Sequence, residues 1–439
     1  MRKGLIFLLF SLLAVSRVRA EDLIQAGETV SLSKALEIAA KTHPSIIVSE
    51  QNLKASQARV YQVGSNFWPQ VNANGSYTRY SPIVQESKTP SGLSGLGIST
   101  GPKKGEQFDN WSASITLQQL LFDFGKTYHQ TGIQSLYRDS SKFQLENVSQ
   151  QVFFGVKQAY YGVLLSRRNR EVAEEGVKQF EQHLTQARGF YEVGAKPKFD
   201  VTRAEVDLSN SQLGLINAEN SLKVAKVTLN NAMGLPGAPE YNIEDILAYL
   251  KYEITLEQGL ERADRNRPDL LSVQSQQKAA AKAVSLAWTG YAPLLTANAD
   301  YKWNGEDFPL EDGWDVGAAV VVPLFNGFLT KSQVDEAKAN LYAANANLEL
   351  TRQGILLEIQ QAYLNLKAAE DGIPTAQLVV KQAQENLELA NGRYAAGVGS
   401  PIEVTDAEVA YLNARLSETQ SLYNYKIAQA GLEKAMGER

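Results

Sequence analysis

The chain is written twice. Displacing the sequence by 224 positions lays residues 32–77 on 256–301 without a gap. Leu32 then meets Leu256, Leu36 meets Leu260, Glu37 meets Glu261, Ala39 meets Ala263 and Pro44 meets Pro268. Pro69, Ala73, Asn74 and Tyr77 meet Pro293, Ala297, Asn298 and Tyr301. A displacement of 203 lays 111–234 on 314–437, pairing Trp111 with Trp314, Tyr191 with Tyr394 and Gly194 with Gly397. It also pairs Gln158-Ala159-Tyr160 with Gln361-Ala362-Tyr363, and Ala232-Met233-Gly234 with Ala435-Met436-Gly437. A repeat of this length means that one supersecondary unit folds twice. The expected division is a leader at 1–20, a first repeat at 21–234, a joining segment at 235–254 and a second repeat at 255–439. The displacements of 224 and 203 differ by 21 residues, all between Tyr77 and Trp111. Gly92, Gly95, Gly97, Gly101 and Gly105, with Pro82, Pro90 and Pro102, predict an exposed loop there.

Each repeat reads helix, strand, loop, strand, long helix, turn, helix. From Pro293, Leu295, Ala297, Ala299, Tyr301 and Trp303 alternate with Thr296, Asn298, Asp300, Lys302 and Asn304. Val71, Ala73, Gly75 and Tyr77 alternate likewise with Asn72, Asn74, Ser76 and Thr78. On the returning strands, Trp111, Ala113, Ile115 and Leu117 form one apolar register, and Trp314, Val316, Ala318 and Val320 the other. Period-2 runs ending in Tyr or Trp suit barrel strands with an apolar outside and a wet inside. They also suit the edge of a soluble sandwich, and the pattern alone leaves both open. The long segments have helical spacing: Val148, Val152, Val156, Tyr160 and Val163, echoed by Ile355, Ile359, Tyr363 and Leu366. Gly125 to Tyr191 could run as one helix of roughly 100 Å at the usual rise per residue. A narrow apolar seam on such a helix suits side-by-side helices with water on both sides. A coiled-coil spacer would show the same seam.

The start tilts the choice towards a membrane. Arg2 and Lys3 precede an apolar stretch from Leu5 to Val15, and Val18-Arg19-Ala20 offers a cleavage pattern ahead of Glu21, as in a secretory signal peptide. Cleavage would remove four basic residues and no acidic ones, moving the formal charge from -5 to -9. No basic stripe for nucleic acid is visible. The absence of cysteine excludes disulfides, thiolate metal sites and a lipid-modified cysteine. His43, His129 and His183 are too few and too scattered for a histidine metal cluster. After the leader no apolar run of about 18 residues remains, so a membrane crossing would have to be a β-barrel. No phosphate loop, nucleophile elbow or metal-spaced histidine motif is present, and neither catalytic residue, metal nor cofactor is expected.

The duplicated opening (Leu32, Ala35-Leu36, Ala39, Pro44; Leu256, Leu260, Ala263, Pro268) and the strand starts (Pro69 to Tyr77; Pro293 to Tyr301) resemble the TolC-like outer membrane efflux family. So do the strand exits Leu121 to Gly125 and Pro323 to Gly327, and the turns after Tyr191 and Tyr394. The resemblance spans residues 32–437. It implies a mixed α and β membrane protein: a homotrimer whose protomers give four strands each to a twelve-stranded transmembrane β-barrel continuous with a long periplasmic α-helical barrel. Residues 235–254 would join an equatorial belt. The implied role is a passive exit duct for efflux or type I secretion in the Gram-negative outer membrane, reaching into the periplasm. Its implied partners are outer-membrane lipid, a periplasmic adaptor and an inner-membrane pump or ABC transporter. A coiled-coil structural or adhesive surface protein is the competing class, separable because it would form no barrel.

The resemblance also places a periplasmic gate at the turns. Tyr394, Asp200, Glu403 and Asp406 match positions that tie or ring the closed entrance, and Val193, Gly194, Ala195, Ala396, Gly397 and Val398 match turns that receive the adaptor. Independently, Glu403 and Asp406 follow Pro401 and could simply favour a helix N-terminus. The family pattern has an arginine where this chain has Gly399. The expectation is that the basic partner has moved to the first repeat, with Lys196 or Arg203 bonding towards Glu403, Asp406 or Tyr394. Ordinary surface lysine and arginine is the alternative.

Overall fold

A computed structural model describes residues 23–81 and 107–438. The leader and the glycine-rich loop lie outside them. Among the described residues the duplication is literal. Helices α1 (Leu32–Thr42) and α5 (Leu256–Asn266) have 11 residues each, and α2 (Pro44–Gly64) and α6 (Pro268–Trp288) have 21. The long helices α3 (Lys126–Glu192) and α7 (Leu329–Ala395) have 67 each, and α4 (Lys198–Ala232) and α8 (Pro401–Ala435) have 35. The same sequence signals set these ends twice. Ser31 and Thr255 cap α1 and α5 with side-chain oxygens, satisfying backbone N–H groups that have no partner within the helix. Pro44 and Pro268 then end one helix and open the next, since proline is tolerated in a first turn and not inside. The predicted helix at Gly125 to Tyr191 is found one residue along.

The chain divides into two compact units. One holds Met1–Asn52, Lys142–Leu271 and Leu350–Arg439; the other holds Leu53–Ser141 and Ser272–Glu349. Each unit therefore takes pieces from both repeats.

The second of these contains one four-stranded antiparallel sheet, ordered β2 (Gln70–Tyr80), β3 (Phe108–Phe122), β5 (Leu294–Gly305) and β6 (Glu311–Val321). Its register keeps the two faces apart. Asn72, Thr116, Asp300 and Asp315 lie in one row, and Asn74, Ser114, Lys302 and Gly313 in the next on that face. Thr116 donates to Asp300 at 2.6 Å, and Lys302 pairs with Asp315 at 2.8 Å. The other face carries Val71, Leu117, Ala299 and Val316, then Ala73, Ile115, Tyr301 and Trp314. Tyr77 and Trp111 stack there at 4.5 Å, the aromatic end of the apolar band. Among the described residues, strands β2 and β6 each have one unpaired edge. No described helix is long and apolar enough to cross a membrane.

The first unit is helical around one main core. Short strands β1 (Thr29–Val30) and β4 (Asn242–Ile243) pair in parallel, tying residues 235–254 to the chain's beginning. Leu235, Tyr241, Ile243 and Leu247 from that segment are buried with Val156, Tyr160, Val163 and Leu164 of α3. The Tyr160 hydroxyl donates towards the Val30 and Glu244 carbonyls at 3.1 and 2.9 Å, so the buried phenol is satisfied. The repeats close alike. Gly234 and Gly437, both at positive φ, press against the α1–α2 and α5–α6 breaks; a Cβ would come within 2.9 Å of His43 and 2.7 Å of Asn266. Only glycine combines that backbone with that approach.

Candidate functional site

The α3–α4 and α7–α8 turns are copies of one motif. Gly194 and Gly397 have φ of 73° and 77°, which lets the backbone reverse directly after a helix. The amides of Ala195 and Lys196 turn back to the Phe190 carbonyl, and those of Val398 and Gly399 to the Arg393 carbonyl. Ser400 caps α8 through its hydroxyl, ahead of Pro401, whereas α4 follows Pro197 with no side-chain cap. Val193 and Val398 project at 77% and 71% exposure, beside exposed Ala195 and Ala396. Both turns thus present small apolar surfaces to whatever meets them.

Behind the turns the side chains form a packed polar cluster. Tyr394 is 0% exposed, with its ring 5.4 Å from Phe190 and 5.3 Å from His183. Lys196 places its ammonium 5.7 Å over the Tyr394 ring, a cation–π contact that links the first turn to α7. Asp200 is buried in the first turn of α4. Burial and the Asp200 charge raise the Tyr394 pKa above its ordinary value. Thr405 donates to Asp207 at 3.2 Å, joining α8 to α4.

Within the chain Arg393 donates to Glu403 at 3.3 Å across the turn. Lys196 goes to the Tyr394 ring, and Arg203 and Asp406 form no ion pair among the described residues. Gly399 explains why an arginine cannot stand at its own position. A Cβ there would meet the Tyr394 nitrogen at 2.7 Å and the Arg393 carbonyl carbon at 2.9 Å, both backbone atoms that cannot step aside. Gly399→Arg should therefore open this turn rather than rebuild a lock, costing about 1–3 kcal/mol as other overpacking does. Hydrogen exchange should quicken at the Val398 and Gly399 amides; unchanged protection would refute the steric account.

Two further groups carry no recognisable motif. His183 on α3 and Glu408 on α8 are 4% and 3% exposed, and each keeps a buried polar atom without a partner. Burial lowers the His183 pKa, although Asp207 and Asp200 pull it upwards. Burial and the Asp207 charge push Glu408 up to about 7. Their only trace in the sequence is a titratable residue on an apolar face of its helix. No group of three His, Cys, Asp or Glu side chains suited to a metal occurs among the described residues.

Comparison with known proteins agrees with this fold. The chain is 22% identical to the outer membrane protein TolC of Escherichia coli over 436 residues, covering 95% of this chain and 83% of that protein. It is 21% identical to the alkaline protease secretion protein AprF of Pseudomonas aeruginosa, covering 75% and 70%. The fold matches the Campylobacter jejuni CmeC outer membrane channel with a TM-score of 0.78 at 18% identity, over 92% and 85% of the two chains. Residues 35–235 and 259–438 match the outer membrane efflux protein family, one match to each repeat, and the chain belongs to that family.

Proposed function

We propose that three copies of this chain close a twelve-stranded barrel in the outer membrane and form a passive exit duct, fed from the periplasm by a separate pump through an adaptor. The observation that carries this reading is the sheet itself: two-faced, four strands wide and unpaired at both edges. Four strands cannot close alone, and lipid tolerates no open edge. The helices point the same way. Leu350, Leu357, Leu364 and Leu378 on α7, and Val206, Leu213 and Val227 on α4, are exposed in the single chain at multiples of seven residues. That spacing is what a helix shows when it packs lengthwise on another. The sequence has no nucleotide-binding loop, so the energy would come from the pump.

The turns are the gate in this reading. Lys196 over the Tyr394 ring holds α7 against the first turn, and the Arg393–Glu403 bridge ties α8 to α7. Asp200 is buried beside the cluster on α4, and Asp406 faces solvent beside Glu403, where three copies would draw cations to the entrance. Val193, Gly194, Ala195, Ala396, Gly397 and Val398 would meet the adaptor. Single-channel recording in planar bilayers tests both layers. Wild-type trimers should give small discrete conductance steps, and Arg393→Ala should enlarge them several-fold. Lys196→Ala/Arg203→Ala should act less, through the lost contact to Tyr394. No steps at all would overturn the duct; steps identical in all three proteins would overturn the gate.

A further inference from the structure

The cluster behind the second turn borders an open-sided pocket of about 350 Å³, lined by Gln179, Gln182, His183 and Gln186 of α3, Asn391 of α7 and Glu408 of α8. Three lining atoms are buried and unpartnered: Gln179 Oε1, His183 Nδ1 and Glu408 Oε2. The Tyr394 hydroxyl, close by, is also unpartnered. Gln179 Oε1 and, when Glu408 is ionised, its Oε2 are both acceptors. Acceptors buried without a hydrogen-bond partner are costly. A proton on Glu408 converts one of them into a donor.

We infer that this pocket is a proton-binding latch: Glu408 takes up a proton when α3, α7 and α8 pack closed and gives it back when the turn region opens and water enters. The inference rests on the reading of the turns as a gate. The other charged groups facing the cluster are Asp200, Arg203 and Asp207 of α4, with Lys196 from the first turn and Tyr394 from α7. Asp207 acts on both titrating groups, raising His183 and Glu408 alike, and Arg203 opposes it at His183.

The signs of the two groups oppose each other. Glu408 sits near 7 in the closed packing and falls towards its ordinary 4.5 when hydrated. The closed form therefore binds more protons between those values, and closure strengthens as pH falls through 7. His183 is lowered from 6.5 by burial, so the hydrated form binds more protons below 6.5, and further acid favours opening. Above 6.5 the Glu408 limb acts alone, and below 6.5 the two oppose each other.

Infrared spectroscopy and single-channel recording test this on the intact trimer. The infrared spectrum of the wild type at pH 6 should contain a protonated carboxyl band that titrates near neutrality and is missing in Glu408→Gln. Wild-type conductance should rise several-fold as the pH is raised from about 6 to about 8, through the Glu408 value. Glu408→Gln should lose the alkaline rise, and His183→Gln should keep it. Glu408→Asp, which keeps a titratable group, should retain the alkaline rise and guards against a folding defect in the glutamine variant. No band lost in Glu408→Gln would overturn the proton site. An alkaline rise unchanged in Glu408→Gln would overturn the latch even with the band lost. Should wild-type protein conduct at no pH, the duct falls while the infrared band still decides the proton site.

Discussion

Ile115→Arg is expected to abolish assembly in the outer membrane, whereas Thr116→Arg, one residue along the same strand, is expected to leave it intact. Ile115 sits mid-strand in β3, in a row with Ala73, Tyr301 and Trp314 on the apolar face. In a closed barrel that face meets lipid, and an arginine near the bilayer midplane costs about 2–4 kcal/mol. Three protomers pay it three times. Thr116 lies in the opposite row with Asn72, Asp300 and Asp315. An arginine there replaces the Thr116–Asp300 bond with a charge-assisted one and stays in water. The yield of heat-resistant trimer in the outer-membrane fraction measures both. Equal yields would mean that the sheet does not separate lipid from lumen.

Arg267→Met is expected to cost about 3–5 kcal/mol, the usual result of stripping one partner from a buried ion cluster. The Arg267 side chain is 11% exposed and clamps Asp269 through two bonds of 2.9 and 2.6 Å. It also reaches Glu358 at 2.5 Å and the Ala435 carbonyl at 3.2 Å, joining the start of α6 to α7 and the end of α8. Burial alone would raise the Asp269 pKa, but the Arg267 bonds outweigh it and the net shift is downward from 3.8. That contribution is present above 3.8 and is lost as pH falls through the lowered value. In Arg267→Met the buried carboxyl loses its cation and prefers to be protonated, so acid should narrow the gap between the proteins. Thermal unfolding at pH 7 and pH 4 measures this, with Arg267→Met/Asp269→Asn recovering part of the loss. A gap that widens in acid would contradict the assignment. The first repeat has half-buried His43 at the equivalent place, its pKa lowered by desolvation, so this clamp belongs to one repeat only.

Most of the architecture is legible because the sequence states it twice. Helix ends at Pro44 and Pro268, turns at Gly194 and Gly397, and the β-strand alternation each recur in the second copy, and local physics reads each copy alike. The strands run longer than the alternation suggests, since β3 extends to Phe122 where the apolar pattern has already blurred. The cluster behind the turns is harder to read. Arg393 and Glu403 are ten residues apart, and only the turn brings them together. A search for the family's arginine stops at Gly399, and only the backbone packing around it shows that no side chain fits. His183, Glu408 and Asp207 come from three helices, and nothing in their local sequence announces that they meet.

Three-fold closure is most directly tested by cysteine cross-linking between the free edges, in a chain that contains no cysteine of its own. A cysteine at Asn74 on β2 would be combined in turn with one at Gly313, Asp315 or Gly317 on β6. Oxidation in the membrane should, at the matching register, yield a covalent ladder of monomer, dimer and trimer that stops at three. Monomers at every register, or a ladder running past three, would contradict a barrel closed by three copies.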